Sequence, residues 1–259
     1  MPTLLFDPQL RAMRRDRAAR CGVEPFVHER AFADICDRLS MVRRRFRSAL
    51  LIGCPDPAWP ARLLELVDAV AVLDPGPLFA RAAGGEEVIE EQLSLAPGTY
   101  DLCVTIGCLD TVNDLPGALL RIVAGMSEDG LLIGAMAGGD TLPRLRAAMR
   151  AADAVAGAAV PHVHPRIAPG ALAGLLAAAG FAMPVVDIDR VAVSYPSLDA
   201  LVGDLRRMAA TNVLAARSKS PLSRQALDAA RNAFGAESEP ELFELLHFAA
   251  WTPSSQTHG

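Results

Sequence analysis

Between Ser48 and Ala156 the chain repeatedly switches hydrophobic period, and this alternation limits its possible folds more than any other feature. Short apolar runs of strand character stand at Ser48–Gly53, Ala69–Leu73, Tyr100–Thr105 and Gly130–Ala135, with a weaker one at Glu86–Ile89. Between them lie stretches of helical spacing: Ala58–Val67, Pro77–Ala83, Leu115–Met126 and Asp140–Ala156. Strands alternating with helices predict βαβ units and a parallel sheet covered on both faces.

The flanks extend this plan. Phe6–Arg20 reads as a charged helix and Pro25–Val42 as an amphipathic one. After the loop Pro161–Pro169, a helix at Gly170–Ala179 ends at Gly180, a C-cap glycine, and leads into Met183–Tyr195. That segment is long for one strand, so a bend is expected near Asp187–Arg190. Leu198–Ala210 and Leu222–Phe234 read as inserted helices, Glu241–Trp251 as a last strand and Thr252–Gly259 as a polar tail. The expected organisation is an N-terminal helical cap (1–47), an α/β core (48–195), a helical insertion (196–240), and the last core strand with its tail (241–259). A chain of 259 residues can bury one large core of this kind.

A net charge of −5 gives no general reason to expect nucleic-acid binding. The arginine runs at Arg11, Arg14, Arg15, Arg17 and Arg20, and at Arg43, Arg44, Arg45 and Arg47, read first as solvated helix faces and second as docking patches. No apolar run reaches the roughly 18 residues of a membrane span. The first twenty residues lack a secretory h-region, and Asp7 and Asp16 weigh against a mitochondrial transit peptide, so a cytoplasmic location is expected. Cys21, Cys36, Cys54, Cys103 and Cys108 form no CxxC pair and are expected to be reduced and structural. No metal site is expected. His162 and His164 alternate in a proline-rich loop, but no carboxylate partner is identifiable from spacing.

Chemistry is expected at the ends of the strands. The first strand runs into Gly53-Cys54-Pro55-Asp56-Pro57. Glycine lets a backbone approach a ligand closely, whereas prolines remove N–H donors and fix φ. Asp74 lies 21 residues after Gly53, at the end of the second strand. There an acid either accepts from ribose hydroxyls or serves the turn. Gly138-Gly139-Asp140-Thr141-Leu142 is either a site at the sheet edge or a turn in which Asp140 or Thr141 caps the next helix. Asn113-Asp114 before Leu115-Pro116 reads as an N-cap.

Several segments together resemble the methyltransferase-like assembly factors of respiratory complex I and their proteobacterial relatives, within the class I S-adenosylmethionine methyltransferase superfamily. They are Phe6-Asp7, Arg14–Ala19, Val112–Gly117, Gly138–Leu142, Leu145-Arg146, Gly180–Asp187 and Asp204–Met208 with Thr211-Asn212. The mitochondrial member of that family is described as a protein arginine hydroxylase acting on a complex I subunit, and the carrier-protein methyltransferase of biotin synthesis is a more distant cousin. The resemblance implies a Rossmann-like, seven-stranded, mostly parallel sheet with helical elaborations, and an S-adenosylmethionine site lined by Gly53, Asp74, Glu91 and Thr105. The chain departs from the family pattern around that site. Leu51 stands where an acid is implied, Pro55 and Pro57 where glycines are, Ile89 where an aspartate is, and Asp110-Thr111 where His-Trp is. Glu90 and Glu91 follow Ile89 and offer substitutes. The expected function is therefore client binding, with a respiratory complex I subunit as the implied partner and a degenerate cofactor pocket. An active methyltransferase or arginine hydroxylase, and a non-catalytic binding module, are the alternatives.

Overall fold

The computed structural model describes residues 4–235 and 239–254. The end of the expected polar tail, 255–259, lies outside them. Seven strands form one sheet: β1 (Phe46–Ile52), β2 (Val67–Asp74), β3 (Glu86–Glu87), β4 (Tyr100–Ile106), β5 (Met126–Ala137), β6 (Ala182–Val193) and β7 (Glu241–Trp251). Their order is β3-β2-β1-β4-β5-β7-β6. β3 through β5 run parallel, and β7 enters antiparallel between β5 and β6. The seven-stranded, mostly parallel sheet is thus the expected one.

Successive side chains of a strand point to opposite faces. In β1, Ala49 and Leu51 enter one core and Leu50 and Ile52 the other, which explains why this strand is apolar throughout. Helices α2 (Phe26–Met41), α3 (Trp59–Leu64), α6 (Pro143–Ala156), α8 (Leu198–Arg207) and α9 (Arg224–Gly235) cover the first face. Helices α5 (Leu115–Gly125) and α7 (Pro169–Ala178) cover the second. The expected bend at Asp187–Arg190 is not there, because those residues pair regularly with β7. The irregularity falls earlier, between Ala182 and Val185, where Met183 takes a φ of 50°.

Two local expectations divide. Asp114 does cap α5, accepting from the Gly117 N–H at 2.9 Å, with Pro116 in the first turn. Neither Asp140 nor Thr141 caps α6. Its first N–H groups, at Arg144 and Leu145, donate to the Glu241 carboxylate, which β7 supplies from across the sheet edge. Thr141 is buried and exchanges two hydrogen bonds with the Glu244 backbone, while Asp140 is exposed and faces Arg190.

Helix α4 (Pro77–Ala82) follows β2. Helix α1 (Pro8–Cys21) begins at Asp7, whose side chain accepts from the Leu10 N–H, and lies across the carboxyl ends of β1, β2 and β4. It is tied down at its start. The Phe6 N–H donates to Asn113 Oδ1, and Asp7 and Ala215 bond the strand-like pair Val213-Leu214 to the segment before the helix.

Candidate functional site

Ligands of open α/β sheets bind at the carboxyl ends of the strands, and four groups of this chain meet there. β1 runs into Gly53, whose φ of 87° only glycine adopts without strain. A Cβ there would lie 2.4 Å from both Cys108 Sγ and the Ile106 carbonyl, so Cys108 is packed directly over the glycine. Cys54 and Pro55 are buried and Pro57 is exposed. Burial pushes the Cys108 thiol up to about 12, and it pushes Cys54 and Cys103 upward too, which suits small apolar fillers rather than nucleophiles.

Asp74, at the end of β2, is fully buried. Its carboxylate accepts from Arg15 Nε at 2.8 Å, Arg15 Nη2 at 2.5 Å, the Cys54 N–H at 2.7 Å and the Gly76 N–H at 2.7 Å. A carboxylate offers about four lone-pair sites, so the four donors leave Asp74 no acceptor for a ribose hydroxyl. α1 can come this close because Gly76 has no side chain: a Cβ there would lie 2.6 Å from Arg15 Cβ.

One turn earlier on α1, Arg11 repeats the arrangement. Its Nη1 and Nη2 donate to Glu90 at 2.7 and 2.6 Å, and Nη2 also donates to the Cys108 carbonyl at 2.9 Å. Glu90 is fully buried, whereas Ile89 is exposed. Of the two acids after β3 it is therefore Glu90 that enters the site. Glu91 turns aside and accepts from the Asn113 N–H. The carboxylates raise the already high basicity of both guanidinium groups against the opposing cost of burial.

Beyond the arginines, Asp110, with a side chain 9% exposed, is ion-paired with Arg166 and also lies near His164, Arg11 and His28. Desolvation is the largest influence on its carboxyl, but Arg166 and its other neighbours outweigh it and hold the group below the usual carboxylate range. Burial and Arg15 push the His28 imidazole down to about 4. Thr105, at the end of β4, is buried with no hydrogen-bond partner for its hydroxyl, and its methyl group packs over Gly134. Leu51 lies in the core on the opposite side of β1 from Leu50 and Ile52. Two cavities remain along this edge, of about 60 and 40 Å³. A small-molecule site usually has roughly 300–1,000 Å³. The residues present do not fit S-adenosylmethionine: the acid that the resemblance assigns to its ribose is saturated, and Arg11 and Arg15 fill the strand ends beside it.

Of the four residues expected to line the site, Gly53 and Asp74 stand side by side at the edge, while Glu91 and Thr105 do not join them around a common space. The residues that the sequence reading missed are Arg11 and Arg15. A charged run reads as a solvated helix face, and the i, i+4 spacing of the two is the signal that they share one side of α1. Arg43, Arg44, Arg45 and Arg47 are exposed, but they lie in the turn after α2 and on β1 rather than on the expected helix face. His164 is buried and accepts from the Val213 N–H, and His162 pairs with Asp153. Among the described residues no group of three or more metal-ligating side chains occurs, and no helix is long and apolar enough to cross a membrane.

Solved structures define the class. The YcgJ protein of Bacillus subtilis superposes with a TM-score of 0.58 at 12% identity, covering 88% of this chain and all (100%) of that one. The N-methyltransferase NodS of Bradyrhizobium japonicum, solved with S-adenosyl-L-homocysteine, gives 0.52 at 16% identity over 94% of this chain and 99% of its own. The fold is that of the class I methyltransferases. No protein-family model matches the chain. Sequence relatives narrow the class: the chain is 32% identical to the mitochondrial arginine-hydroxylase NDUFAF5 of Danio rerio, over 96% of its own length and 83% of that protein. The Homo sapiens counterpart is also 32% identical, over 95% and 76%. A malonyl-[acyl-carrier protein] O-methyltransferase of Laribacter hongkongensis matches at 32% over 69% of this chain and 60% of its own length. The chain belongs to the methyltransferase-like family of the NDUFAF5 arginine hydroxylases.

Proposed function

We propose that this chain is a methyltransferase-like assembly factor that binds a protein client, a respiratory complex I subunit, and that its S-adenosylmethionine pocket is degenerate. The observation that carries the second part is the saturation of Asp74 by Arg15 and two backbone N–H groups. A ligand that needed this carboxylate would first have to break a buried, two-point ion pair. The Arg11–Glu90 pair alongside adds a second such cost. Membership of the arginine-hydroxylase family supports a protein client over a small methyl acceptor. All five cysteines are free, which supports a reducing compartment, and we place the chain in the cytoplasm.

Calorimetric titration of the full chain with S-adenosylmethionine tests the degenerate pocket. The expected result is no binding at micromolar concentrations, with capture of a complex I subunit by the tagged chain. Micromolar affinity that Asp74→Ala lowers would overturn it. The second reading, arginine hydroxylation of the client, is favoured by the family name alone. It is tested by mass spectrometry of client arginines, where an added oxygen that requires this chain would establish it.

A further inference from the structure

A half-open, largely apolar space adjoins the closed edge and shares Arg166 and Ala210 with both of its small cavities. α6, α8, α9 and the 162–166 loop surround a chamber of about 390 Å³. That is roughly a dozen water volumes at about 30 Å³ each, and it falls within the usual range for a small-molecule site. Its wall is built largely by helical spacing: Leu145 and Met149 lie one turn apart on α6, Val202 and Leu205 face them from α8, and Leu227 of α9 with Leu222 just before it closes the side.

The mouth carries charge that the fold leaves uncompensated. Arg14 Nη1 donates to Thr211 Oγ1 at 3.0 Å, while its buried Nε has no partner. Arg206 stands exposed at the same mouth. The charged groups acting on Arg14 are all cations, Arg217, Arg17 and Arg206, and together with burial they lower its basicity. The other charges of the lining are already engaged. Asp199 takes both Nε and Nη2 of Arg231, Arg166 pairs with Asp110, and His162 pairs with Asp153. An apolar chamber whose unpaired charges among the described residues are positive is complementary to a molecule with one anionic end.

We propose that this chamber binds an amphipathic anion, a single carboxylate or phosphate head on an unbranched apolar tail, with the head between Arg14 and Arg206 and the tail against Leu145, Met149 and Val202. Asp74 does not line the chamber, and the proposal does not depend on the client-binding reading.

Isothermal titration of the full chain at low salt tests it, with decanoate, decyl phosphate, decanol and decyltrimethylammonium as probes below their micelle concentrations. Both anions are expected to bind one to one, decanol at least tenfold more weakly, and the cation not at all. Arg206→Gln alters an exposed side chain and is expected to fold normally. Combined with Arg14→Gln, it should bring decanoate down to the affinity of decanol while leaving decanol unchanged. Val202→Trp should remove binding of all of them, with an unchanged circular dichroism spectrum as the control for folding. Equal affinity for decanoate and decanol in the wild type would overturn the proposal, as would anion binding that survives Val202→Trp in a folded variant. Retention on phosphatidylglycerol vesicles without uptake of the monomeric anions would assign the arginines to a membrane surface instead and would also overturn it.

Discussion

Replacing Arg15 with alanine isolates the contact that closes the cofactor edge. Arg15 and Asp74 are 6% and 0% exposed at their side chains, and two hydrogen bonds of 2.8 and 2.5 Å join them. The guanidinium also lies 5.1 Å from the centre of the Phe79 ring. Arg15→Ala leaves a buried carboxylate with two backbone donors and no counter-charge. Breaking a buried pair in this way costs about 3–5 kcal/mol, against roughly 0.2–1 kcal/mol for an exposed pair. Total stabilities of about 5–15 kcal/mol make that loss plain in equilibrium urea unfolding. Tryptophan fluorescence is a suitable probe, because Trp59 is fully buried and stacked on Phe32 at 4.4 Å. The midpoint should fall while the denaturant slope stays the same, and thermal melting should drop by ~6–20 °C at about 2–4 °C per kcal/mol. Adding Asp74→Asn to Arg15→Ala should recover part of the loss, giving a coupling of ~0.5–3 kcal/mol in a double-mutant cycle. A loss below about 1 kcal/mol, or strict additivity of the two substitutions, would show that α1 is not seated in the cleft and would remove the basis for a closed pocket.

Other substitutions report on neighbouring parts of the same edge. Gly53→Ala combines a φ of 87° with a Cβ 2.4 Å from Cys108 Sγ and the Ile106 carbonyl; strain and overpacking together should cost ~2–5 kcal/mol in urea unfolding. Asp114→Ala removes the α5 cap and should cost about 1 kcal/mol by the same measurement. His164, buried and positioned against Arg166, has its imidazole pushed down from an ordinary 6.5 to about 3. The unfolded chain therefore takes up this proton below about pH 6.5 while the folded chain does not, so stability is full above that pH and declines as pH falls toward 3. His164→Gln should flatten the decline between pH 6 and 4 by up to ~1.4 kcal/mol per pH unit; an unchanged slope in pH-dependent urea unfolding would show that the folded protein protonates this ring normally. His28, pushed to about 4, should leave a residual slope in that variant.

The fold was legible because it rests on short-range pattern. A strand buried on both faces must be apolar throughout, so β1 and β4 announce themselves, and the helices between them carry caps such as Asp114 within three residues of the groups they satisfy. The site was legible only in part. Asp74 and Gly53 are tied to the end of a strand and could be placed from sequence. Glu90 could not, because it begins a 3₁₀ turn at Glu90–Gln92, where the alternation of a strand no longer decides which way a side chain points. The cap of α6 was missed for a related reason: its partner Glu241 is separated from Arg144 by 97 residues.

The arginine-rich first helix marks the boundary most clearly. Sequence by itself determined a helix over Phe6–Arg20, close to the observed Pro8–Cys21, with Arg11 and Arg15 one turn apart on one side of it. It determined equally that β2 ends in an acid and that two more acids follow β3. Only the tertiary structure decided that these arginines are buried, since burial depends on what faces them, and Asp74 and Glu90 lie 59 and 79 residues away along the chain. A guanidinium on a helix has the same local preference in water as in an ion pair; the difference comes from the carboxylate that the sheet brings to meet it.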